Sequence, residues 1–109
     1  MTDWIAIENV VIKLDPFLER AAELKPGAVH SDEISELMAN VQAGTQLLAD
    51  AIGDEDEPAL LSMQLAAWGL NSLASEARRT RQTGAFIRGA AEPIAALRSF
   101  WDRLDEQAT

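Results

Sequence analysis

The chain has 109 residues, 48% of them hydrophobic and 25% charged, which is typical of one globular domain covering residues 1–109 and not of a disordered chain. The formal net charge of −9 disfavours general binding to nucleic acids or to anionic membranes. The sequence has no Cys, no Tyr and one His, which excludes disulfides, thiol nucleophiles and thiolate zinc sites and leaves few groups for proton-transfer chemistry.

An amphipathic helix is predicted from about Thr2 to Leu24. Apolar residues recur there at alternating spacings of three and four, as on one face of a helix, at Trp4, Ile7, Val11, Leu14, Leu18 and Ala21. Several residues between 4 and 14 are β-branched, so a strand over residues 4–14 stays open as an alternative. Because a proline inside a helix removes a hydrogen bond, we expect a kink near Pro16 or a new helix start with Asp15 as its N-cap.

A second helix is predicted to begin after the stop formed by Lys25-Pro26-Gly27. Ser31 is a suitable N-cap, and the two acidic residues that follow it favour the positive end of a helix. The apolar stripe comprises Ile34, Leu37, Met38, Val41, Leu48, Ala51 and Ile52, and Gly53 is the expected C-cap. Gly44 falls on this stripe, where a glycine is justified if another helix backbone comes close.

A third helix is predicted to follow the acidic turn 54–57, with Pro58 near its first position and its end at about Arg81. Its apolar stripe comprises Met63, Ala66, Ala67, Leu70, Leu73, Ala74 and Ala77. Leu65 and Trp68 lie beside this stripe, and we expect them to widen the apolar face.

The start of a fourth helix is ambiguous. It is predicted either near Ala85 or only at Glu92-Pro93, because Gly84 and Gly89 leave residues 83–92 undecided between loop and helix. Its apolar residues are Ile87, Ala91, Ile94, Leu97, Trp101, Leu104 and Ala108.

These elements together predict an all-α fold, a small antiparallel bundle of about four helices with the first one kinked near Pro16. The sequence shows neither a secretory signal nor an apolar run of about 18 to 20 residues, so a cytoplasmic location is expected. The wide apolar faces and the Ala-rich stripes favour a homodimer, since two-fold dimers are the commonest oligomers.

Charge is distributed unevenly along the chain. Residues 1–57 carry 13 acidic and 3 basic side chains, whereas residues 58–109 carry 5 acidic and 6 basic ones. Residues 78–88 combine arginines with two large apolar residues that stand between glycines, and protein interfaces are enriched in arginine and aromatic residues. The predicted protein-binding surface therefore comprises Arg78, Arg79, Arg81, Phe86, Ile87 and Arg88. The alternative interpretation is a solvated surface with weak ion pairs.

Signals for catalytic or metal chemistry are weak. His30 is expected in the loop before the second helix, and with no second His or any Cys a metal would need carboxylates only, as Mg²⁺ or Ca²⁺ does. Glu33 and Glu36 match the E-x-x-E ligand pair of all-α nucleotide pyrophosphohydrolases. The second pair of that family, E-x-x-D, is replaced here by Asp54 and Glu57 in a turn. We therefore predict no enzymatic activity, no metal and no cofactor.

The sequence thus favours a non-enzymatic regulator that inhibits or sequesters a partner protein by covering a functional or dimerisation surface. Antiactivators of transcription factors, antitoxins and immunity proteins act in this way. Two alternatives stay open. One is an acidic decoy that mimics nucleic acid through the carboxylates of the first two helices. The other is a bundle that binds a small ligand or hydrolyses nucleotides with Mg²⁺.

Overall fold

A computed structural model of the protein contains four helices in sequence and describes residues 3–54 and 57–108, the side chains of 105, 107 and 108 excepted. The helices are α1 (Trp4–Ala22), α2 (Asp32–Ile52), α3 (Pro58–Thr80) and α4 (Thr83–Ala108). The described residues include no strand, and each helix packs against its neighbour in sequence. The predicted all-α bundle is therefore confirmed. None of the helices within these ranges is both long and apolar enough to cross a membrane.

The ends of the helices follow the local sequence. The Ser31 hydroxyl accepts a hydrogen bond from the backbone N–H of Ile34 at 3.2 Å, so Ser31 is the N-cap of α2 as predicted. Gly53 adopts a positive φ of 62° at the end of α2, a conformation that glycine adopts readily. Pro58 stands in the first turn of α3, where its missing N–H leaves no hydrogen bond unmade.

The predicted first helix is confirmed, and two alternatives left open for α1 are excluded. Residues 4–14 form helix and not a strand, because their apolar positions at helical spacing bury one face against α2. The helix also continues through Pro16 without a second start, and the Asp15 carboxylate, instead of capping a helix, accepts hydrogen bonds from Arg98 on α4. The kink at Pro16 stays a prediction.

The core lies along the bundle axis and draws on all four helices. Helices α1 and α2 come close together at Gly44. A Cβ built on Gly44 would lie 2.5 Å from Leu14 Cδ1. The glycine therefore makes room for a leucine side chain, not for a helix backbone as the sequence suggested. The largest fully buried side chains are Phe86, Ile7, Leu14, Leu18, Met38, Leu48, Leu60, Met63, Leu70, Leu97, Val41 and Thr45.

Helix α4 confirms the earlier of the two predicted starts, the one near Ala85, to within two residues. It starts at Thr83, so residues 83–92 are helical and Pro93 lies inside the helix instead of starting it. Arg81 adopts a left-handed backbone conformation (φ 55°), which allows a two-residue connection between α3 and α4. The buried face of α4 comprises Thr83, Phe86, Ala90, Ile94, Leu97 and Leu104. This burial outweighs the low helix propensity of the two glycines in the segment.

The bundle is open on one side. Helix α2 packs closely against both α1 and α3, and α4 packs closely against α3, whereas α1 and α4 have few contacts with each other. A groove therefore runs along the surface between α1 and α4.

Candidate protein-binding surfaces

The arginines of the predicted binding surface lie exposed near the connection between α3 and α4. Arg78 Nη1 donates a hydrogen bond to Gln42 Oε1 on α2 at 2.8 Å. Arg79 is paired with Glu76 one turn earlier on α3, and the hydrogen bond to this carboxylate raises the pKa of Arg79. Arg81 Nη2 lies 3.8 Å from Asp32 Oδ1, and Arg88 is exposed on α4. Three of the four guanidinium groups thus have partners within the chain.

The apolar part of that predicted surface is not where the sequence suggested. Phe86 is 1% exposed and packs in the core, so the prediction that it forms an exposed anchor is wrong. The reason is the early start of α4, because a helix that begins at Thr83 turns Phe86 inward. Ile87, the next residue, is half-buried. The structure therefore leaves the four arginines exposed without the aromatic anchor that was to accompany them.

His30 lies in the loop between α1 and α2, as predicted, and contacts the beginning of α4. Its Nδ1 is 3.1 Å from the Thr83 hydroxyl. Its Nε2 is enclosed and has no hydrogen-bond partner in the described part of the chain. This contact ties the first loop to the third one, at the end of the bundle where Asp32 and Arg81 also meet.

The groove between α1 and α4 is a concave surface feature with an apolar wall. It has a volume of about 600 Å³, within the range of ligand-binding sites. Ile12 is 60% exposed at its edge. Trp4 and Ile5, both exposed, extend the apolar surface toward the N-terminal end of α1. The groove is lined by Val11, Ile12, Asp15, Pro16, Leu97, Arg98, Trp101 and Asp102.

One ion pair crosses this groove. Arg98 Nε and Nη2 donate to the two carboxylate oxygens of Asp15 at 2.9 and 3.1 Å, the two-pronged geometry that suits arginine and carboxylate. The hydrogen bond to Asp15 raises the pKa of Arg98, and the partial burial of the guanidinium opposes this rise. Arg98 therefore keeps its charge throughout the neutral and moderately alkaline range.

A double-mutant cycle on this pair is expected to show a coupling free energy of about 0.5–1 kcal/mol, because both side chains are about two-fifths exposed and water screens the interaction. The cycle compares the wild type with Asp15→Asn, Arg98→Gln and the double variant in urea denaturation. Additive losses of stability would show that the pair does not hold α1 to α4.

The outer face of α3 is a second apolar surface. We define it by Leu61, Leu65, Trp68, Gly69 and Ser72, each of which lies three or four positions from another member of the set. Leu65 is 72% exposed and Trp68 is 41% exposed. The prediction that these two residues widen the core-facing stripe is therefore wrong, because they lie on the side of α3 turned away from the bundle.

Sequence reasoning missed both surfaces, although each had a signal. Ile5 and Ile12 stand two helical turns apart and away from the α1 stripe, which places them on a different face. Leu61, Leu65 and Trp68 repeat the same pattern on α3. The contact of Asp15 with Arg98 had no local signal, since 83 positions separate the two residues.

Within residues 3–54 and 57–108, no three side chains of His, Cys, Asp or Glu lie together as the ligands of a metal ion would. Three surface features of the described residues suggest a binding function. They are the groove between α1 and α4, the acidic side chains near it and the outer face of α3. Comparison with known protein families, with curated proteins and with solved structures finds no match for this chain.

Proposed function

We propose that this protein is a non-enzymatic regulator that binds an amphipathic helix of a partner protein in the groove between α1 and α4. The observation that supports the proposal is the open groove itself, whose walls include Val11, Ile12, Leu97 and Trp101. A helix that lays its apolar face into a hydrophobic groove is a common mode of peptide recognition. By holding that helix, the protein covers a surface that the partner needs for dimerisation or activity.

The length of the groove suits a short helix. The exposed apolar residues of α1 run from Trp4 to Pro16, about 18 Å at the helical rise of 1.5 Å per residue. A partner helix of three to four turns covers this distance. Trp101 and the apolar part of the Arg98 side chain offer surface on the opposite wall.

The charge around the groove favours a basic occupant. With Asp15 paired to Arg98, helix α1 and its N-cap carry three other acidic side chains against two basic ones, and Asp102 lines the α4 wall. Charge complementarity speeds association and selects among partners more than it adds affinity. The expected occupant is thus an amphipathic helix with lysine or arginine on the flanks of its apolar face. The acidic residues of α1 and its N-cap are Asp3, Glu8, Asp15 and Glu19.

This mode of action is that of an antiactivator, an antitoxin or an immunity protein, each of which acts by occlusion and needs no chemical step. The regulator removes its partner from use as long as the helix stays in the groove. Specificity then depends on the apolar side chains that enter the groove and on the basic residues that flank them.

A binding experiment with model peptides tests the proposal. We expect an amphipathic peptide of leucine and lysine, about four helical turns long, to bind in a saturable one-to-one manner. Trp101 lines the groove, so its fluorescence reports binding. Ile12→Lys is expected to weaken binding at least tenfold, because it places on the apolar edge of the groove a positive charge that repels the lysines of the peptide. Leu47→Lys is the matched control, since Leu47 is 58% exposed on α2.

Three results would contradict the proposal. Equal binding of a peptide with the same composition in scrambled order would show attraction by charge alone. Equal binding to the Ile12→Lys and wild-type proteins would place the site elsewhere. If a nucleic-acid-binding protein from the host binds both variants equally and is released by moderate salt, the acidic-decoy alternative explains the function better.

A further inference from the structure

We infer that the outer face of α3 is where two copies of this chain meet, packed antiparallel about a two-fold axis between Trp68 and Gly69. This face belongs to α3, whereas the groove lies between α1 and α4, so the inference does not depend on the proposed function. Three features of α3 support this dimer: the charge pattern of the helix, the space around Gly69 and the opposite charges at its two ends.

The charge pattern sets α3 apart from the rest of the chain. No Asp, Glu, Lys or Arg occurs from Pro58 to Ser75, although a quarter of all residues are charged. The side of α3 turned away from the core is therefore uncharged over about five turns. Leu61, Leu65 and Trp68 expose apolar surface on this side, where an amphipathic helix normally carries polar residues. In a chain of net charge −9, a neutral face is also where two identical copies can approach without repulsion.

Gly69 provides the second observation. A Cβ built on Gly69 would meet no atom within 4 Å, so packing within the chain does not require a glycine there. Glycine is also the least favourable residue in a helix interior apart from proline. It leaves a gap on the outer face beside Leu65 and Ser72. An indole ring from a second copy fits a gap of this kind, and Trp68 is the exposed aromatic residue next to it.

The orientation follows from the charges at the ends of α3. Glu57, directly before α3, is acidic, whereas Arg78, Arg79 and Arg81 stand at the far end of the helix with Glu76. The two ends lie about 33 Å apart. Parallel packing would place the Glu57 residues of the two copies side by side. Antiparallel packing places Glu57 of each copy beside the arginines of the other.

A two-fold axis between Trp68 and Gly69 allows the central contacts and the charge pairs at both ends of α3 to form at the same time. With the axis between Trp68 and Gly69, the Trp68 ring of each copy covers Gly69 of the other. The same register sets Glu57 of each copy against the segment that carries Arg79 and Arg81 of the other. Leu65 of each copy then lies near Ser72 of the other. The contacts are reciprocal, as an isologous two-fold interface requires.

The interface is small, since each copy contributes about five side chains and the charged ends. We therefore expect a reversible dimer with a dissociation constant in the micromolar range. Trp68 is the expected centre of affinity, because tryptophan residues near the middle of an interface contribute most to binding.

Sedimentation equilibrium across micromolar to millimolar concentrations tests the dimer. The wild type is expected to shift from monomer to dimer, and Leu65→Glu to raise the dissociation constant at least tenfold. Leu47→Glu makes the same change at an exposed leucine of α2 and is expected to behave as the wild type does. Both substituted side chains are exposed, so circular dichroism should show folded proteins. A wild type that stays monomeric, or a Leu65→Glu protein that dimerises normally, overturns the inference.

Reversing the charges of Glu57 and Arg79 tests the antiparallel orientation of the two α3 helices. In the antiparallel dimer, Glu57→Arg alone brings like charges together, and so does Arg79→Glu alone, so each variant should dimerise several-fold more weakly. An equimolar mixture restores opposite charges at both ends and should form the mixed dimer with nearly wild-type affinity. Single variants that dimerise as well as the wild type, or a mixture that does not recover, overturn the antiparallel arrangement.

Discussion

Replacing Phe86 with Ala is expected to lower the free energy of unfolding by about 3–5 kcal/mol, the usual cost of removing a phenylalanine from a core. Phe86 is 1% exposed and belongs to the central cluster, so the surrounding helices cannot close the cavity completely. For a chain of this length the midpoint of thermal unfolding should fall by roughly 15 °C or more. Phe86→Asp is expected to prevent folding, because it also buries a charge without a partner.

Urea denaturation followed by circular dichroism measures this loss. Arg88→Ala, at an exposed position on the same helix, is the control and should change stability by less than about 0.5 kcal/mol. A Phe86→Ala protein as stable as the control would mean that Phe86 lies on the surface, as the sequence suggested. In that case Phe86 would again be a candidate for contact with a partner.

Replacing Gly44 with Leu is expected to destabilise the protein by about 1–3 kcal/mol, the usual cost of overpacking a core. The Cβ alone would lie 2.5 Å from Leu14 Cδ1, and the remaining atoms of a leucine have no space between α1 and α2. Either Leu14 leaves its position or α1 moves away from α2. The change should be visible in near-ultraviolet circular dichroism, which reports on tryptophan packing.

Gly69→Ala is the matched control for this change. It adds a methyl group to a helical glycine with open space around it and should stabilise the monomer by about 0.5–1 kcal/mol. The measurement is made at low protein concentration, so that self-association does not contribute. If Gly44→Leu proved as stable as the wild type, the close contact of Gly44 with Leu14 would not exist in solution.

The helices themselves were predictable because their signals are local. The α1 stripe from Ile7 to Ala21, the Ser31 cap and the Gly53 end depend on residues within one or two turns of each other, and the structure confirms all three. Trp4, which was predicted on the same stripe, is 43% exposed, so that part of the prediction is wrong. The beginning of α4 was not predictable in the same way. Gly84 and Gly89 favour a loop when only neighbours along the chain are considered, and the burial of Phe86 and Ala90 against other helices decides the outcome.

The candidate surfaces were harder to predict for a related reason. Exposed arginines such as Arg78 and Arg79 are recognisable from charge alone, and the structure leaves both on the surface. Whether an apolar residue lies inside or outside depends on the angle at which its helix docks. Trp68 and Leu65 are next to the α3 stripe in sequence, yet they lie beyond the region that α2 and α4 cover.

The sparse contact between α1 and α4 has a consequence for how the molecule opens. Since α1 is secured mainly by α2, it can separate while the other three helices remain packed, and this local opening requires less free energy than global unfolding. An occupant of the groove would bind only the closed form and would thereby suppress that opening. Amide protons of α1 should then exchange with solvent more slowly when the groove is filled. The hydrogen-exchange rate of α1 therefore measures how much of the groove is occupied.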